Sequence, residues 1–332
     1  MVERRTLGLF VLASLLFGGT FVGAKAGLEY FPPLLFVAFR FDIAAVVLFA
    51  YAAVATDLGE LLPRTRGDWV GVLATGVFAI GLANALLFVG QQYATSAVAS
   101  VVFSLNPILT PVFAAVLLSD ERLSRRGAVG MVLGLLGVGL VVSPDPANLL
   151  GGDALGKGIL FLGAVSGALG SVLIRWADTD VSSTVRTAWA LPFAAALTHG
   201  MSVAAGESVA TVQWTPTALL ALGYVAVFAG AVAYVAFFGL LDETGAIKAN
   251  LVFYVVPVVT TVAGWALLGE SVSATTVAGF AVVFLGFAVL GGDTLATTAR
   301  RLWPAVVERF SDDGRSGPVL TDGSGSYGRD CD

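Results

Sequence analysis

Val101 to Leu123 reads VVFSLNPILTPVFAAVLLSDERL, and Leu251 to Val272 reads LVFYVVPVVTTVAGWALLGESV. Each is an apolar run of helix length with a proline inside it, and the two lie about 150 residues apart. Proline inside a helix removes one backbone hydrogen bond and crowds the preceding turn. A bilayer tolerates this where neighbouring helices or water satisfy the freed carbonyl. A proline repeated at one spacing in two such runs therefore points to a bent pair of helices beside a central space.

The rest of the chain provides the bilayer. Of 332 residues, 57% are hydrophobic and 12% charged, with a mean hydropathy of +0.88. Soluble chains carry roughly 25% charged residues, so most of these side chains need a solvent other than water. Spanning a membrane takes about 20 apolar residues per helix. Ten stretches qualify, near 7–27, 33–55, 69–90, 94–118, 127–143, 155–175, 185–205, 216–240, 246–268 and 274–292. They are apolar on every face, as in 133–142 and 277–290, whereas a β-barrel strand alternates. The single cysteine, Cys331, excludes an intrachain disulfide.

Sliding the chain on itself by about 150 residues places Phe103 on Phe253, Pro107 on Pro257, Thr110 on Thr260 and Leu118 on Leu268. After a one-residue slip, Glu121 falls on Glu270, Gly130 on Gly279 and Gly137 on Gly286, while Lys25 falls on Arg175. The first stretch thus belongs to the repeat, which argues against its removal as a signal peptide despite Arg4 and Arg5 ahead of it. Five helices per half is an odd number, so the halves enter the membrane in opposite directions. Such inverted repeats characterise secondary transporters, whose sites lie between the halves near the midplane. The fold expected is all-α and integral to the membrane: ten transmembrane helices as two inverted five-helix repeats. The expected divisions are 1–145, 153–292 and a disordered cytoplasmic tail at 303–332, where Gly, Ser and Asp dominate.

Lys and Arg concentrate in cytoplasmic loops. With the N-terminus inside, that side receives Arg4, Arg5, Arg64, Arg66, Arg122, Arg125, Arg126, Arg175, Arg186, Lys248, Arg300, Arg301 and Arg309, and the other side only Lys25 and Lys157. Both termini are expected in the cytoplasm and the chain in the plasma membrane.

Order, spacing and duplication together resemble the drug/metabolite transporter superfamily, in particular its members with two EamA-type repeats. The resemblance is carried by LFGGTFVGAK near the start, FVAFRFDIAA in the second stretch, and the segments SAVASVVFSLNPILTPVFAAVLLSDERLS and GAIKANLVFYVVPVVTTVAGWALLGESVS, and it covers residues 7 to 292. It implies export or exchange of small metabolites such as amino acids, or drugs, without ATP hydrolysis. It also covers Arg40 and the basic position of Lys248, but not Asp42.

Polar groups inside a membrane helix face a cavity or a partner. Ser96, Ser100 and Ser104 recur every four residues on one face, and the repeat sets Ala246, Asn250 and Tyr254 opposite them. Asn84, Phe88 and Gln91 share another face, and Asn84 aligns with Tyr234. The expected substrate pathway comprises Asn84, Gln91, Ser100, Ser104, Asn106, Tyr234, Asn250 and Tyr254, with Pro107 and Pro257 as helix kinks. Packing through small hydroxyls is the competing reading for the serines. Lys25, Arg40, Asp42, Arg175 and Lys248 are candidates for charged mouths or coupling, with protons as the coupling ion if Asp42 or His199 titrates. All four cations are expected nearer the membrane faces than the midplane, which weighs against a nucleotide-sugar or phosphate-ester exchanger.

Enzymatic and nucleic-acid readings find little support. GGDALGKG at 151–158 imitates a phosphate loop, but Gly158 stands where a Ser or Thr should hold magnesium. One histidine and one cysteine provide no metal site, and the net charge of −5 gives no nucleic-acid surface. No cofactor and no metal are expected. The partners are a small-molecule substrate and the lipid bilayer, with the protein acting as a monomer or homodimer. A non-transporting scaffold of the same fold is the alternative from a different class.

Overall fold

A computed structural model describes residues 2–57, 59–118, 125–142, 152–244 and 252–290. The tail at 303–332, Lys248 and Asn250 lie outside the described residues. Among the described residues all regular structure is helical, and ten rods follow one another. They are α1 (Val2–Gly27), α2 (Pro33–Ala55), α3 (Arg66–Leu73, Ala74–Leu82 and Ala83–Gln91), α4 (Ser96–Phe103 and Asn106–Leu117) and α5 (Arg125–Val142). After these come α6 (Gly152–Trp176), α7 (Ser183–Ala204), α8 (Pro216–Gly223, Tyr224–Val232 and Ala233–Thr244), α9 (Val252–Leu268) and α10 (Ala274–Leu290).

Six of the rods are long and apolar enough to cross a membrane, and 128–141, 255–268 and 274–286 are shorter apolar helices. The rod α7 has the length, with 22 residues. It is not one of the six, because Arg186, Thr187, Thr198, His199 and Ser202 interrupt its apolar run. Large side chains such as Val46, Val54, Val116, Leu220 and Trp265 point outward and are well exposed. Lipid is the solvent that suits such a surface.

The two halves share details that the sequence did not announce. The middle of α3 (Ala74–Leu82) and the middle of α8 (Tyr224–Val232) are both wound as π-helix, nine residues each, at the 150-residue spacing. The wider winding shifts the register of the flanking α-helical turns, and such segments commonly accompany functional sites. Both rods begin alike: Thr65 and Thr215 cap them by accepting from Asp68 N and Ala218 N.

Packing follows the same symmetry. The α2–α7 and α5–α10 contacts each join equivalent rods, while α1–α9 is matched by α6–α4, and α2–α8 by α7–α3. At the α5–α10 seam the backbones approach so closely that a Cβ on Gly137 would lie 2.6 Å from Val283 N and 2.7 Å from Gly279 O. The aligned glycines of the sequence repeat therefore serve helix packing in lipid, where small residues let backbones meet.

The two central prolines act differently. Pro107 sits in the first turn of the second piece of α4, after a break at Ser104 and Leu105, whereas Pro257 lies inside an unbroken α9. Proline is well accommodated in a first turn, where its missing N–H is not needed.

Candidate functional site

A cavity of about 510 Å³ lies between the halves. Eight rods line it, and α5 and α10 do not. Its polar wall contains Arg40, Asn84, Ser100, Ser104, Asn106 and Tyr234, together with Thr20, Thr75, Thr110, Ser171, Arg186 and Thr187. Its apolar wall includes Phe17, Phe21, Phe103, Phe237 and Phe253. Rings also pack on one another here, Phe17 with Tyr234 at 5.3 Å and Phe237 with Phe253 at 5.5 Å between centroids.

Each polar side chain has a local reason for its pose. The Asn84 amide donates to Ile80 O at 2.8 Å, one turn back in the π segment, which leaves Oδ1 facing α2. Arg40 Nη1 donates to that oxygen at 3.0 Å. The Arg40 guanidinium is 3% exposed and lies 5.6 Å from the Phe41 ring centroid and 5.7 Å from that of Phe88, a cation-π arrangement. Its Nε has no partner, and neither has Nε of Arg186. Ser100 and Ser104 spend their hydroxyl protons on Ala97 O and Val101 O, at 2.9 and 2.6 Å, and keep oxygen lone pairs available. Asn106 packs against α6, where a Cβ on Gly167 would collide with its Nδ2.

Several residues assigned to the pathway from sequence stand elsewhere. Gln91 is fully buried, donates from Nε2 to Phe21 O at 2.6 Å, and is absent from the cavity wall. Lys25 donates to Gln91 O at 2.8 Å and Ala94 O at 3.0 Å, closing the C-terminus of α3. Arg175 is exposed at the end of α6. Asp42 is half exposed and meets His199 Nε2 at 2.8 Å across the α2–α7 contact, away from the cavity. Pro107 lines the cavity, while Pro257 is represented there only by its neighbour Val256. The side chain of Tyr254, like Asn250 and Lys248, is outside the described residues.

Arg40 corrects the sequence reading most. It was grouped with cations near the membrane faces, yet its guanidinium is buried in the cavity wall. Seven residues beyond the start of α2 is roughly 10 Å of helix rise. An arginine side chain can cover that distance outward to a headgroup or inward to the bundle, so sequence spacing alone does not decide its depth. Arg186 was counted only as a loop cation and also belongs to the wall.

Other charged groups are held by backbone. Glu270 accepts from Ser96 N at 2.9 Å and so caps α4 from the end of α9. Glu207 accepts from Leu34 N and Leu35 N, at 3.1 and 2.7 Å, at the start of α2. Asp68 accepts from Arg64 N, Thr65 N and Asp180 N, tying α3 to the loop before α7. Acids at helix N-termini are stabilised by the exposed N–H groups there. The duplicated Glu121 and Glu270 were the sequence signal for one of these caps.

The cavity has two unlike ends. The lining stops at Phe21, Leu87 and Ser100, and one turn further the layer formed by Lys25, Gln91, Ala94, Ser96 and Glu270 joins α1, α3, α4 and α9. Toward the other end the lining continues to Ile174, in the last turn of α6, and to Arg186 and Thr187, in the first two turns of α7. Here the ties run along the flanks, from Arg5 to Glu243 at 3.0 Å and from Asp68 to the α6–α7 loop.

Comparison with known proteins places this geometry. The model of the EamA-like transporter family matches residues 4–143 and again 154–292. The chain belongs to the EamA-like transporter family. It is a multi-pass membrane transporter and belongs to no enzyme family by this match. Among its relatives, "Uncharacterized transporter YyaM" of Bacillus subtilis is 28% identical over 84% of this chain and 91% of its own length. An uncharacterized transporter of Archaeoglobus fulgidus is 27% identical over 82% and 94%, and "Uncharacterized inner membrane transporter YedA" of Escherichia coli K12 is 27% identical over 88% and 90%. One solved crystal structure shares the fold with a TM-score of 0.59 at 23% identity, covering 87% of this chain and 98% of that one.

Proposed function

We propose that this transporter is a secondary carrier that exports or exchanges small metabolites across the cell membrane by alternating access, with both termini in the cytoplasm. The carrying observation is the 510 Å³ cavity between two matched five-helix halves, finished by a hydrogen-bonded layer at one end and extending to the helix ends at the other. In the orientation proposed from the Lys and Arg distribution, the layer at Lys25 faces outside and the Arg186 end faces the cytoplasm. The conformation is then inward-facing.

The chemistry of the cycle is exchange of noncovalent partners. Lys25 and Glu270 satisfy backbone groups at the ends of α3 and α4, and release of both frees α4 and α9 to move apart at that end. Duplicated halves supply the complementary closure: Arg175 and Glu121 occupy the positions equivalent to Lys25 and Glu270. Such swapping of roles between inverted repeats is the physical basis of alternating access. Asn84, Ser100, Ser104, Asn106 and Tyr234 are the proposed substrate contacts in the cavity, and Asn250 and Tyr254 remain proposed from the repeat. Protons are the proposed coupling ion, with Asp42 and His199 as the titratable pair; since neither lines the cavity, coupling through them acts on the α2–α7 contact.

A scaffold of the same fold has no use for a polar cavity with an exit. The test is a metabolite profile of the medium from cells lacking the protein, set beside cells expressing wild type or Pro257→Leu. Metabolites that accumulate outside only with wild type support the carrier; identical profiles, with all proteins present in the membrane, contradict export.

A further inference from the structure

Among the described residues, the cavity wall holds two arginines and no acidic residue. Burying a guanidinium costs several kcal/mol unless an anion or a full set of acceptors compensates it. Charged groups elsewhere in the bundle are compensated, since buried Asp68 and half-buried Lys25, Glu207 and Glu270 all end on backbone groups of opposite polarity. Arg40 is not. Its one hydrogen-bond acceptor is the neutral Asn84 amide, its Nε is buried and unpartnered, and no carboxylate among the described residues lies within ion-pair reach. Arg186 repeats the pattern nearer the exit, with Nη1 on Thr179 Oγ1 at 3.4 Å and Nε unpartnered.

Resting on the carrier reading, we infer that the substrate is a small organic anion, with a carboxylate on an apolar body that packs against aromatic rings. The carboxylate docks on the Arg40 guanidinium, which lines the cavity wall and supplies charge-assisted hydrogen bonds. The body lies among Phe17, Phe103, Phe237 and Phe253, whose rings line the same space. Arg186, at the cytoplasmic end in the proposed orientation, makes the approach positive and raises the local concentration of anions. An ammonium group finds no carboxylate among the described residues of the wall, so a zwitterionic amino acid binds more weakly than the matching acid, and an amine more weakly still.

The test uses purified full-length protein in lipid nanodiscs and three probes that share a ring and chain: 3-phenylpropionate, phenylalanine and 2-phenylethylamine. Thermal stabilisation is titrated against each for wild type, Arg40→Gln, Arg40→Lys and Arg186→Gln. The inference expects wild type to rank them in that order. It expects Arg40→Gln to weaken 3-phenylpropionate by roughly tenfold or more, with Arg40→Lys recovering part of the loss and Arg186→Gln causing a smaller one. The ranking in wild type needs no variant, so a poorly folding Arg40→Gln leaves the inference testable. Equal or stronger stabilisation by the amine, or none by any probe, overturns it. Export of a cation or neutral metabolite in the medium profile also overturns it while leaving the carrier reading intact.

Discussion

Arg40 on α2 donates from Nη1 to Asn84 Oδ1 on α3 at 3.0 Å, while its Nε, equally buried, has no partner. The bond fixes the guanidinium in the cavity wall with a neutral partner in place of an anion. The Asn84 oxygen is available for this because the amide nitrogen is engaged by Ile80 O inside the π segment.

Asn84→Leu removes the neutral acceptor and leaves a buried guanidinium with less compensation. A hydrogen bond to a charged group contributes about 1.5–3 kcal/mol. Export rates measured at equal membrane abundance should fall roughly tenfold or more and thermal stability should drop, whereas Asn84→Asp, which keeps an acceptor for Arg40, should retain the stability. Unchanged export in Asn84→Leu would assign the pair to packing alone.

Gly137 and Gly279 test the outer pair of helices. A valine at either position places side-chain atoms against backbone of the facing rod, where even the Cβ would lie 2.5–2.7 Å from a carbonyl oxygen. Overpacking of this kind costs about 1–3 kcal/mol or more. Gly137→Val should lower the temperature at which the purified protein aggregates, whereas Gly139→Val, at a position with nothing within 4 Å, should leave it unchanged.

The latch at the Lys25 end has its own readout. In a Cys331→Ser background, a cysteine at Thr20 reports access to the cavity from outside. Lys25→Ala or Glu270→Ala should raise its labelling rate by an impermeant thiol reagent several-fold, because each removes backbone caps that hold the layer closed. Labelling as slow as in the parent would mean that the layer is structural and does not open.

Asp42 and His199 meet at 2.8 Å with side chains 49% and 40% exposed. The pair joins α2 to α7 outside the cavity, and its proposed role is in coupling. Asp42→Asn should preserve thermal stability and abolish the response of export to an imposed pH gradient. A full response in Asp42→Asn would remove this pair from the cycle.

How much of this was legible in the sequence depends on what each signal constrains. Apolar length marked the six described spans long enough to cross a membrane, and the α5–α10 seam was foreshadowed by Gly130 aligning with Gly279 and Gly137 with Gly286. The π segments were not visible, because ATGVFAIGL and YVAVFAGAV carry the same apolar composition as any α-helical span. Periodicity placed Gln91 with Asn84 on one face, yet the approach of α1 puts Gln91 against Phe21 O instead. Arginine depth was the other gap. Arg40 and Arg186 look alike in sequence as cations near helix ends, and only the packing of α2, α3 and α7 around one space assigns both to its wall.

The central claim is that the two ends of this cavity open alternately. Spin-label distances in nanodiscs test it most directly, with one label pair spanning α4 and α9 beside Ser96 and Glu270, and a second spanning α3 and α7 beside Gly71 and Arg186. The account predicts two populations in which the first distance lengthens as the second shortens, and a shift between them on adding a transported metabolite. A single population at both ends, unmoved by any metabolite found in the medium profile, would contradict it.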